Sequence, residues 1–340
     1  MSSRTHRPEA LLSKATAVLT ALGTPPDAAS EVAEALVGAN LVGHDSHGIV
    51  RLREYAAFVA RGVVEPGATP SVVSSLHAVQ VVDGRRAWGQ ISARFAADLA
   101  ARTAGEFGVA AVSIRNCNHI GRIGEYAEIL AARGYASLLW CNADPAVAPF
   151  GGTERMLGTN PLAVGIPVAG GHPFILDFAT SATAEGKLRV ARASGRDVEP
   201  GAVITREGTP STDPEAFYAG GALLPFGGHK GYGLSVFIEL LGGGLSGNHP
   251  GISARYRAGN GVMMVAMKPE AFAAMDFEAD IRETIDALRA SRPADPTRPV
   301  LIPGDVEDAQ RHDRSAGIPV DDAIWADVEA LHAELLAAQQ

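Results

Sequence analysis

The chain has 340 residues, 46% of them hydrophobic, and a formal net charge of −9, a balance typical of a globular enzyme. The negative charge argues against a nucleic-acid partner, because neutralising phosphates requires an excess of Lys and Arg on one surface. Two cysteines, Cys117 and Cys141, are too few for a disulfide framework, and the sequence has neither a signal-peptide pattern nor an apolar run of about 18 residues. We therefore expect a cytoplasmic protein that does not enter a membrane.

The N-terminal segment has the periodicity of helices. The first predicted helix, 8–22, begins with Pro8 and stops at Gly23, residue types that favour a helix start and a helix end. Two further apolar stripes, one through Leu36 and one that follows Gly48, predict two more helices. The segment is therefore expected to form helices interrupted by one turn between glycines.

Beyond a proline-rich stretch at 66–70, short β-rich apolar runs alternate with helical segments such as 125–134. Strands that alternate with helices predict an α/β layer architecture. Residues 196–222 are rich in Gly, Pro, Thr and Asp and predict a long surface connection, and a last apolar stripe through Val328 predicts a C-terminal helix. The predicted strands are 79–82, 109–114, 137–140, 162–166 and 174–176.

The segment GHDSHGIVRLREY groups side chains that suit a carboxylate. A helix that begins near Ser46 would have this residue at its N-cap, where an anion is favoured. It would also place His47, Arg51 and Tyr55 along one face, four residues apart. A capped surface helix explains the pattern equally well. A metal site at His44 and His47 is disfavoured, since no second Cys or His cluster completes it.

A second candidate is His119, predicted to lie in a turn between a strand that ends near Ile114 and a helix that starts near Gly121. Histidine titrates near neutral pH and can exchange a proton with a carbonyl or an alcohol oxygen. A glycine in such a turn lets a ligand approach the backbone closely. The alternative is a histidine that only caps the helix, and for one isolated His in a turn this alternative is favoured.

Glycine-rich turns form a third group. Asp177 and Thr180 lie where a predicted strand gives way to a helix that carries Lys187, and Lys230 precedes another helix start among four glycines. Lysines at such helix starts suit phosphate or pyrophosphate groups. Alternatively, the glycines only permit tight packing and the lysines are solvated.

The sequence does not contain the usual dinucleotide-binding fingerprint in the context that this motif requires. Gly242, Gly244 and Gly247 formally satisfy G-x-G-x-x-G, but they follow a helix-like run, and Pro250 comes before another helix could develop. The fingerprint requires strand, turn and helix in that order. A Rossmann fold is therefore not predicted.

Several of these motifs, in this order, resemble the malate/L-lactate dehydrogenase type 2 family of NAD(P)-dependent oxidoreductases. The resemblance extends from about residue 8 to residue 335. Several long motifs in one order are far more specific than any of them alone. The motifs that carry it are GHDSHGIVRLREY, NHIGRIGEYAEILAARG, GTNP, LDFATS followed by GK, GGHKGYG, LIPGD and GIPV.

The resemblance assigns roles to residues. His119 would be the general acid/base, and His47 would lie near the nicotinamide and the substrate. Ser46, Arg51 and Tyr55 would bind the substrate carboxylate and neighbouring oxygens. Lys187 stands where the related cyclic imine reductases have an acidic residue, which favours a hydroxy acid. Besides His47, the residues assigned to the cofactor are Gly121, Arg122, Ile123, Asp177, Phe178, Ala179, His229, Lys230, Asn260, Pro303 and Gly304.

The resemblance also implies the fold and the assembly. We expect a non-Rossmann α/β sheet domain that binds NAD or NADP, and a helical domain formed from the N- and C-terminal segments. The expected boundaries are 1–70, 71–290 and 291–340. We further expect a homodimer with active sites between subunits, and no metal.

Within the family, NHIGRIG, VAPF and ATSATAEGKLRVA are most similar to the hydroxycarboxylate dehydrogenase B type. The implied reaction is reduction of 2-oxo acids, such as 2-oxoglutarate or arylpyruvates, to 2-hydroxy acids. Other family activities remain open, on malate, lactate, sulfolactate, ureidoglycolate or an imino acid. So do a non-catalytic dimeric scaffold and, least favoured, a metal-dependent lyase or hydrolase.

Overall fold

The computed structural model describes residues 3–193, 195–273 and 276–338, and it has the predicted α/β architecture. The helices are α1 (Pro8–Ala21), α2 (Pro26–Leu41), α3 (Leu52–Ala60), α4 (Gly89–Phe107), α5 (Gly124–Ala132), α6 (Glu185–Ala193), α7 (Glu215–Tyr218), α8 (His229–Ile238), α9 (Phe277–Arg289), α10 (Asp305–Asp313) and α11 (Asp322–Ala337). The strands are β1 (Ser3–His6), β2 (Ser71–Leu76), β3 (Val79–Asp83), β4 (Val109–Arg115), β5 (Ala136–Cys141), β6 (Leu162–Ile166), β7 (Phe174–Phe178), β8 (Val203–Ile204), β9 (Pro210–Ser211), β10 (Ala222–Leu223), β11 (Val262–Met267) and β12 (Ile318–Asp321).

The two ends of the chain form one helical layer. Helices α1, α2, α3 and α11 pack through fully or nearly fully buried side chains, among them Leu11, Leu36, Leu52 and Leu331. Strand β1 pairs with β12 in an antiparallel ladder, which fixes the N-terminus beside the C-terminal segment. These helices confirm the apolar stripes seen in the sequence, whereas β1 and β12, of four residues each, are too short to be predicted.

A seven-stranded mixed sheet occupies the centre, in the order β2-β3-β4-β11-β5-β6-β7. Only β3 and β4 are parallel, and the other neighbours are antiparallel. Helices α4 and α5 cover one face with a core that includes Ile114, Tyr126 and Leu139. This arrangement places the loop between β4 and α5 at the edge of the helical layer.

The other face of the sheet is covered by α8 and by the π-helix Glu239–Leu245. Gly242 and Gly244 lie inside this π-helix, in agreement with the rejected dinucleotide fingerprint. The predicted surface connection 196–222 instead contains a small sheet, β10-β8-β9, and α7. Apolar residues of this segment such as Val203 and Phe217 are buried and supply a core that its turn-rich composition conceals. Within the described residues, no helix is long and apolar enough to cross a bilayer.

Candidate active site

The segment that carries the first candidate residues is not a continuous helix. It forms two 3-10 turns, Asp45–His47 and Ile49–Arg51, before α3 begins. The prediction of a helix with Ser46 at its N-cap is therefore wrong. Gly48 separates the turns in an extended conformation, and the buried side chain of Asn40 fills the space where a Cβ would lie. This packing breaks the regular helical face that the sequence predicts.

His119 lies in the loop between β4 and α5, as predicted. The start of α4 packs directly against this loop, because a Cβ at Gly89 would overlap the carbonyl of His119. On the other side, the buried Asn260 accepts the backbone N–H of Ile120 at 3.1 Å. Gly121 has a φ of +75°, so α5 begins later than predicted. The loop is thus held on both flanks.

The structure brings Ser46, His47, Arg51, Tyr55 and His119 together. The His119 ring stacks on that of His47, with centroids 5.7 Å apart and 13° between the planes. The Tyr55 hydroxyl oxygen lies 2.9 Å from His119 Nδ1, and Ser46 Oγ lies 3.1 Å from His47 Nδ1. Arg51 Nε donates to the carbonyl of Ser46 at 2.7 Å. We call these five residues the imidazole cluster.

Both imidazoles are neutral near pH 7. Burial lowers the pKa of His47 to about 3, with smaller contributions from the charges around it, first that of Arg51. Burial also lowers the pKa of His119 well below its ordinary value, and Arg51 and His47 lower it further. An anion bound beside Arg51 would offset the guanidinium charge and raise the pKa of His119. The cluster can therefore couple anion binding to proton uptake.

Arg51 is held in place by two hydrogen bonds. Its Nη1 donates to Glu54 Oε2 at 2.6 Å, in addition to the bond from its Nε. Within the described parts of the chain, its Nη2 has no hydrogen-bond partner. The side chain is only 14% exposed. A fixed and largely buried guanidinium of this kind offers its remaining N–H groups to a carboxylate.

A second group of predicted residues surrounds the start of α5. Arg122 is 5% exposed, and its Nη2 donates to Glu128 Oε1 at 2.8 Å, whereas its Nε and Nη1 are buried without a partner in the described structure. Asp177, near the end of β7, accepts the N–H of Gly124 at 2.9 Å. Burial raises the pKa of Asp177, although Arg122 acts in the opposite sense. Buried N–H groups without partners suit a polar group of a ligand.

The turn at Pro303 and Gly304 lies against the same region. The carbonyl of Pro303 accepts the N–H of Ile175 in β7 at 3.2 Å, and Gly304 precedes α10 with a φ of +101°. From α10, Glu307 reaches His44 Nε2 at 3.2 Å. Ile123 is buried in the loop before α5, and Phe178 and Ala179 are half-buried where β7 ends.

Three further candidate residues, His229, Lys230 and Lys187, are exposed. His229 and Lys230 begin α8, and Lys187 lies on α6. None of the three has a hydrogen bond or an ion pair with the imidazole cluster in the described residues. The first turn of α6 does reach the cluster, because a Cβ at Gly186 would overlap the side chain of Ser46.

Sequence reasoning missed Gln90, which is fully buried in the first turn of α4 and donates from Nε2 to the Tyr55 hydroxyl at 2.7 Å. No motif marks this residue, and α4 itself was not predicted as a separate helix. Its contact with Tyr55 depends on how α4 packs beneath the His119 loop.

Sequence reasoning also missed a buried network around Glu239, which is 3% exposed. Its carboxylate accepts from Asn142 Nδ2 at 3.2 Å and from Asn160 Nδ2 at 2.8 Å. Asn260 Nδ2 in turn donates to the carbonyl of Asn142 at 2.7 Å. A Glu inside the apolar run 234–241 was the available signal, since a carboxylate in such a place must find buried donors.

Comparisons with known proteins agree with this architecture. A sequence model of the malate/L-lactate dehydrogenase family matches residues 7–329. Hydroxycarboxylate dehydrogenase B of Escherichia coli O157:H7 is 38% identical over 319 residues, which cover 91% of this chain and 88% of the relative. Among solved structures, a dehydrogenase from Sinorhizobium meliloti superposes with a TM-score of 0.91 at 35% identity, covering 97% of this chain and 98% of that one. Sulfolactate dehydrogenase from Methanocaldococcus jannaschii gives 0.89 at 32% identity, covering 98% and 97%.

Proposed function

The chain belongs to the malate/L-lactate dehydrogenase family, and on that premise we propose that it reduces 2-oxo acids to 2-hydroxy acids with NADH or NADPH. Membership makes it a nicotinamide-dependent dehydrogenase of hydroxy acids. We further propose 2-oxoglutarate or an arylpyruvate as its substrate, as the resemblance of its motifs to the hydroxycarboxylate dehydrogenase B type implies. A relative of that name is 38% identical to this chain. The observation that carries the proposal is His119, half-buried near the fixed guanidinium of Arg51, whose charge helps to lower the pKa of the ring.

The substrate carboxylate would bind at Arg51, through the N–H groups that Glu54 and Ser46 leave free. The negative charge would offset the guanidinium, so that His119 gains a proton in the substrate complex. The protonated ring would then give one of its two ring protons to the oxygen at C2 as that oxygen becomes an alkoxide. His47, stacked on the His119 ring, limits its rotation. These residues therefore supply orientation, charge and a proton.

The nicotinamide cofactor, when bound, supplies the hydride chemistry that no side chain can provide. The described residues fit such a group. The unpartnered Nε and Nη1 of Arg122 suit oxygens of an anionic or amide group, and the neighbouring Gly121 is half-buried with a φ of +75°. Asp177, Pro303 and Gly304 line the same region, and we assign them to the cofactor together with His229 and Lys230. The enzyme assay described below compares NADH with NADPH as the cofactor.

We also propose that the chain acts as a homodimer in the cytoplasm. Leu240 is 59% exposed and Leu245 is 64% exposed on the helices that cover the second face of the sheet, and a second copy would bury such apolar groups. Cys117 and Cys141 are both buried free thiols, which suits a reducing compartment. The domain boundaries 1–70, 71–290 and 291–340 remain predictions.

The test is loss of reduced nicotinamide absorbance when the purified protein meets NADH or NADPH and one oxo acid. The panel contains 2-oxoglutarate, phenylpyruvate, hydroxyphenylpyruvate, oxaloacetate, pyruvate and piperideine-2-carboxylate. We expect turnover with 2-oxoglutarate or an arylpyruvate, and a loss of turnover in His119→Ala. Faster turnover with oxaloacetate, pyruvate or the imine would replace the proposed substrate with that one. Silence across the panel, with cofactor binding intact by calorimetry, would contradict the proposed reaction.

A further inference from the structure

Two successive hydrogen bonds link Gln90, Tyr55 and His119. Gln90 Nε2 donates to the Tyr55 hydroxyl oxygen at 2.7 Å, and the same oxygen lies 2.9 Å from His119 Nδ1. Gln90 is fully buried and Tyr55 is 2% exposed. In such surroundings an unpaired donor or acceptor is costly, so the direction of each hydrogen bond affects its neighbours.

The orientation of the Gln90 amide determines which group donates in each of these hydrogen bonds. Its Oε1 is buried and has no partner among the described residues. This orientation leaves that oxygen and one N–H group of Nε2 without a partner among the described residues, whereas the reversed amide would leave both N–H groups unpaired. Orphaned N–H groups are rarer in proteins than under-satisfied carbonyl oxygens. The amide N–H therefore points at Tyr55, and the Tyr55 hydroxyl proton is left for donation to His119 Nδ1.

We propose that Gln90 and Tyr55 are positioning residues that fix the tautomer of His119, with the ring proton on Nε2 and the Nδ1 lone pair facing Tyr55. The Tyr55 hydroxyl is used by Gln90 and His119, so Tyr55 acts through His119 and is not the ligand of the substrate carboxylate that the resemblance implies. The resting ring then presents an N–H donor on the side away from Tyr55. Its catalytic consequence rests on the proposed function, but the tautomer itself is a property of the free protein.

The hydrogen bonds from Gln90 and Tyr55 also affect how His119 takes up its second proton. That proton binds at Nδ1, so Tyr55 must change from a donor to an acceptor of this hydrogen bond. The Tyr55 oxygen would then accept from both neighbours, and its own O–H would lose its acceptor. When the Nε2–H bond later breaks and the proton passes to the substrate oxygen, the ring keeps the Nδ1 proton until Tyr55 turns back. Gln90 therefore opposes protonation of the His119 ring, and it does so through the Tyr55 hydroxyl.

The charged and titratable groups around the ring come from several elements. His47 and Arg51 face it from the 3-10 turns, and Tyr55 faces it from α3. Glu54 in α3 and Glu125 in α5 act on the Tyr55 phenol. All of these groups remain in the Gln90 variants. A change of the His119 tautomer in those variants therefore reports the hydrogen bonds that run from Gln90 through Tyr55 to His119.

Nitrogen-15 NMR of histidine-labelled protein, without substrate or cofactor, distinguishes the two neutral tautomers. The His119 signals are those that disappear in His119→Asn, out of ten histidines. We expect the Nε2–H tautomer in the parent protein. Gln90→Glu replaces the donor with an acceptor, so Tyr55 should donate to it and His119 should become the Nδ1–H tautomer. Tyr55→Phe should give a mixture.

A matched control is Gln80→Glu, which makes the same change at a glutamine that is 6% exposed in β3, where it donates to the carbonyl of His77. This variant should keep the parent tautomer. Gln90→Met removes only the donor and should give a mixture, which covers the case in which Gln90→Glu does not fold. An Nδ1–H tautomer in the parent, or the parent tautomer in the Gln90 and Tyr55 variants, would overturn the proposal.

Kinetics provides a second readout for positioning. Gln90→Glu should move the alkaline limb of the kcat/KM profile for oxo-acid reduction to higher pH by about one unit, since it makes protonation of His119 easier. Tyr55→Phe should lower kcat about 10-fold and change KM less than about two-fold. If the tautomers change as expected but no oxo acid is reduced, the proposed function fails and the tautomer assignment stands.

Discussion

The two neutral imidazoles make the stability of this protein depend on pH. The pKa of His47 falls from 6.5 to about 3 on folding, and that of His119 also falls well below 6.5. Below pH 6.5 the unfolded chain therefore binds protons that the folded chain does not, so the free energy of unfolding decreases as pH falls. For His47 the loss is roughly 1.2 kcal/mol between about pH 7 and about pH 5.5, and His119 adds a loss of the same sign.

The assay is urea unfolding of the cofactor-free protein at fixed protein concentration and ionic strength, followed by tryptophan fluorescence at several pH values. His119→Asn should show a smaller pH dependence of the free energy of unfolding than the parent protein, because Asn does not titrate. Asp177, whose pKa burial raises, acts in the opposite sense near its own pKa, so the difference between variant and parent is the quantity to compare. His77→Asn is the control, since His77 is exposed in the β2–β3 turn and its φ of +50° suits Asn.

An equal pH dependence in the parent and in His119→Asn would refute the reasoning. It would mean that the His119 ring is protonated in the folded protein as readily as in the unfolded chain. The resting state proposed for the active site would then be wrong as well.

Three further predictions concern single side chains. His119→Ala should lower kcat by about 10²–10⁴ while cofactor affinity by calorimetry changes little, and near-normal turnover would remove the acid/base role. Arg51→Lys should mainly raise KM for the oxo acid, because a lysine cannot hold Glu54 and Ser46 and still bind a carboxylate, and an unchanged KM would take Arg51 out of the site. Glu239→Gln should destabilise the fold by about 2–4 kcal/mol in urea unfolding, since its new N–H groups would meet the amide donors of Asn142 and Asn160; unfolding at the parent midpoint would show that the network carries little stability.

Much of the fold could be predicted from local pattern. Apolar stripes located α1 and α2, and short β-rich runs located the strands from β3 to β7 that surround the site. Strand β11 was missed, although it lies in the centre of the sheet between β4 and β5. Its sequence, VMMVAM, is apolar on both faces and has no alternation, so periodicity does not mark it.

The imidazole cluster was predicted residue by residue, but its geometry was not. Sequence spacing placed Ser46 at the start of a helix, whereas Asn40 packs into the chain at Gly48 and divides that helix into turns. Gln90 meets Tyr55 only because α4 crosses beneath the His119 loop. Contacts between distant segments override local propensity at such places, and these are the places where function is found.

The local charges explain how an acidic protein can bind an anionic substrate. Arg51 and Arg122 are nearly buried, and each is held by one carboxylate, Glu54 and Glu128 respectively, which fixes the guanidinium without using all of its donors. Desolvation keeps His119 neutral until a further negative charge arrives, because a second cation beside Arg51 is unfavourable. Binding of an anion beside Arg51 and protonation of His119 therefore favour each other. A substrate analogue that keeps the carbonyl group but lacks the carboxylate should consequently lose turnover as well as affinity, because His119 would stay unprotonated and could not serve as the acid.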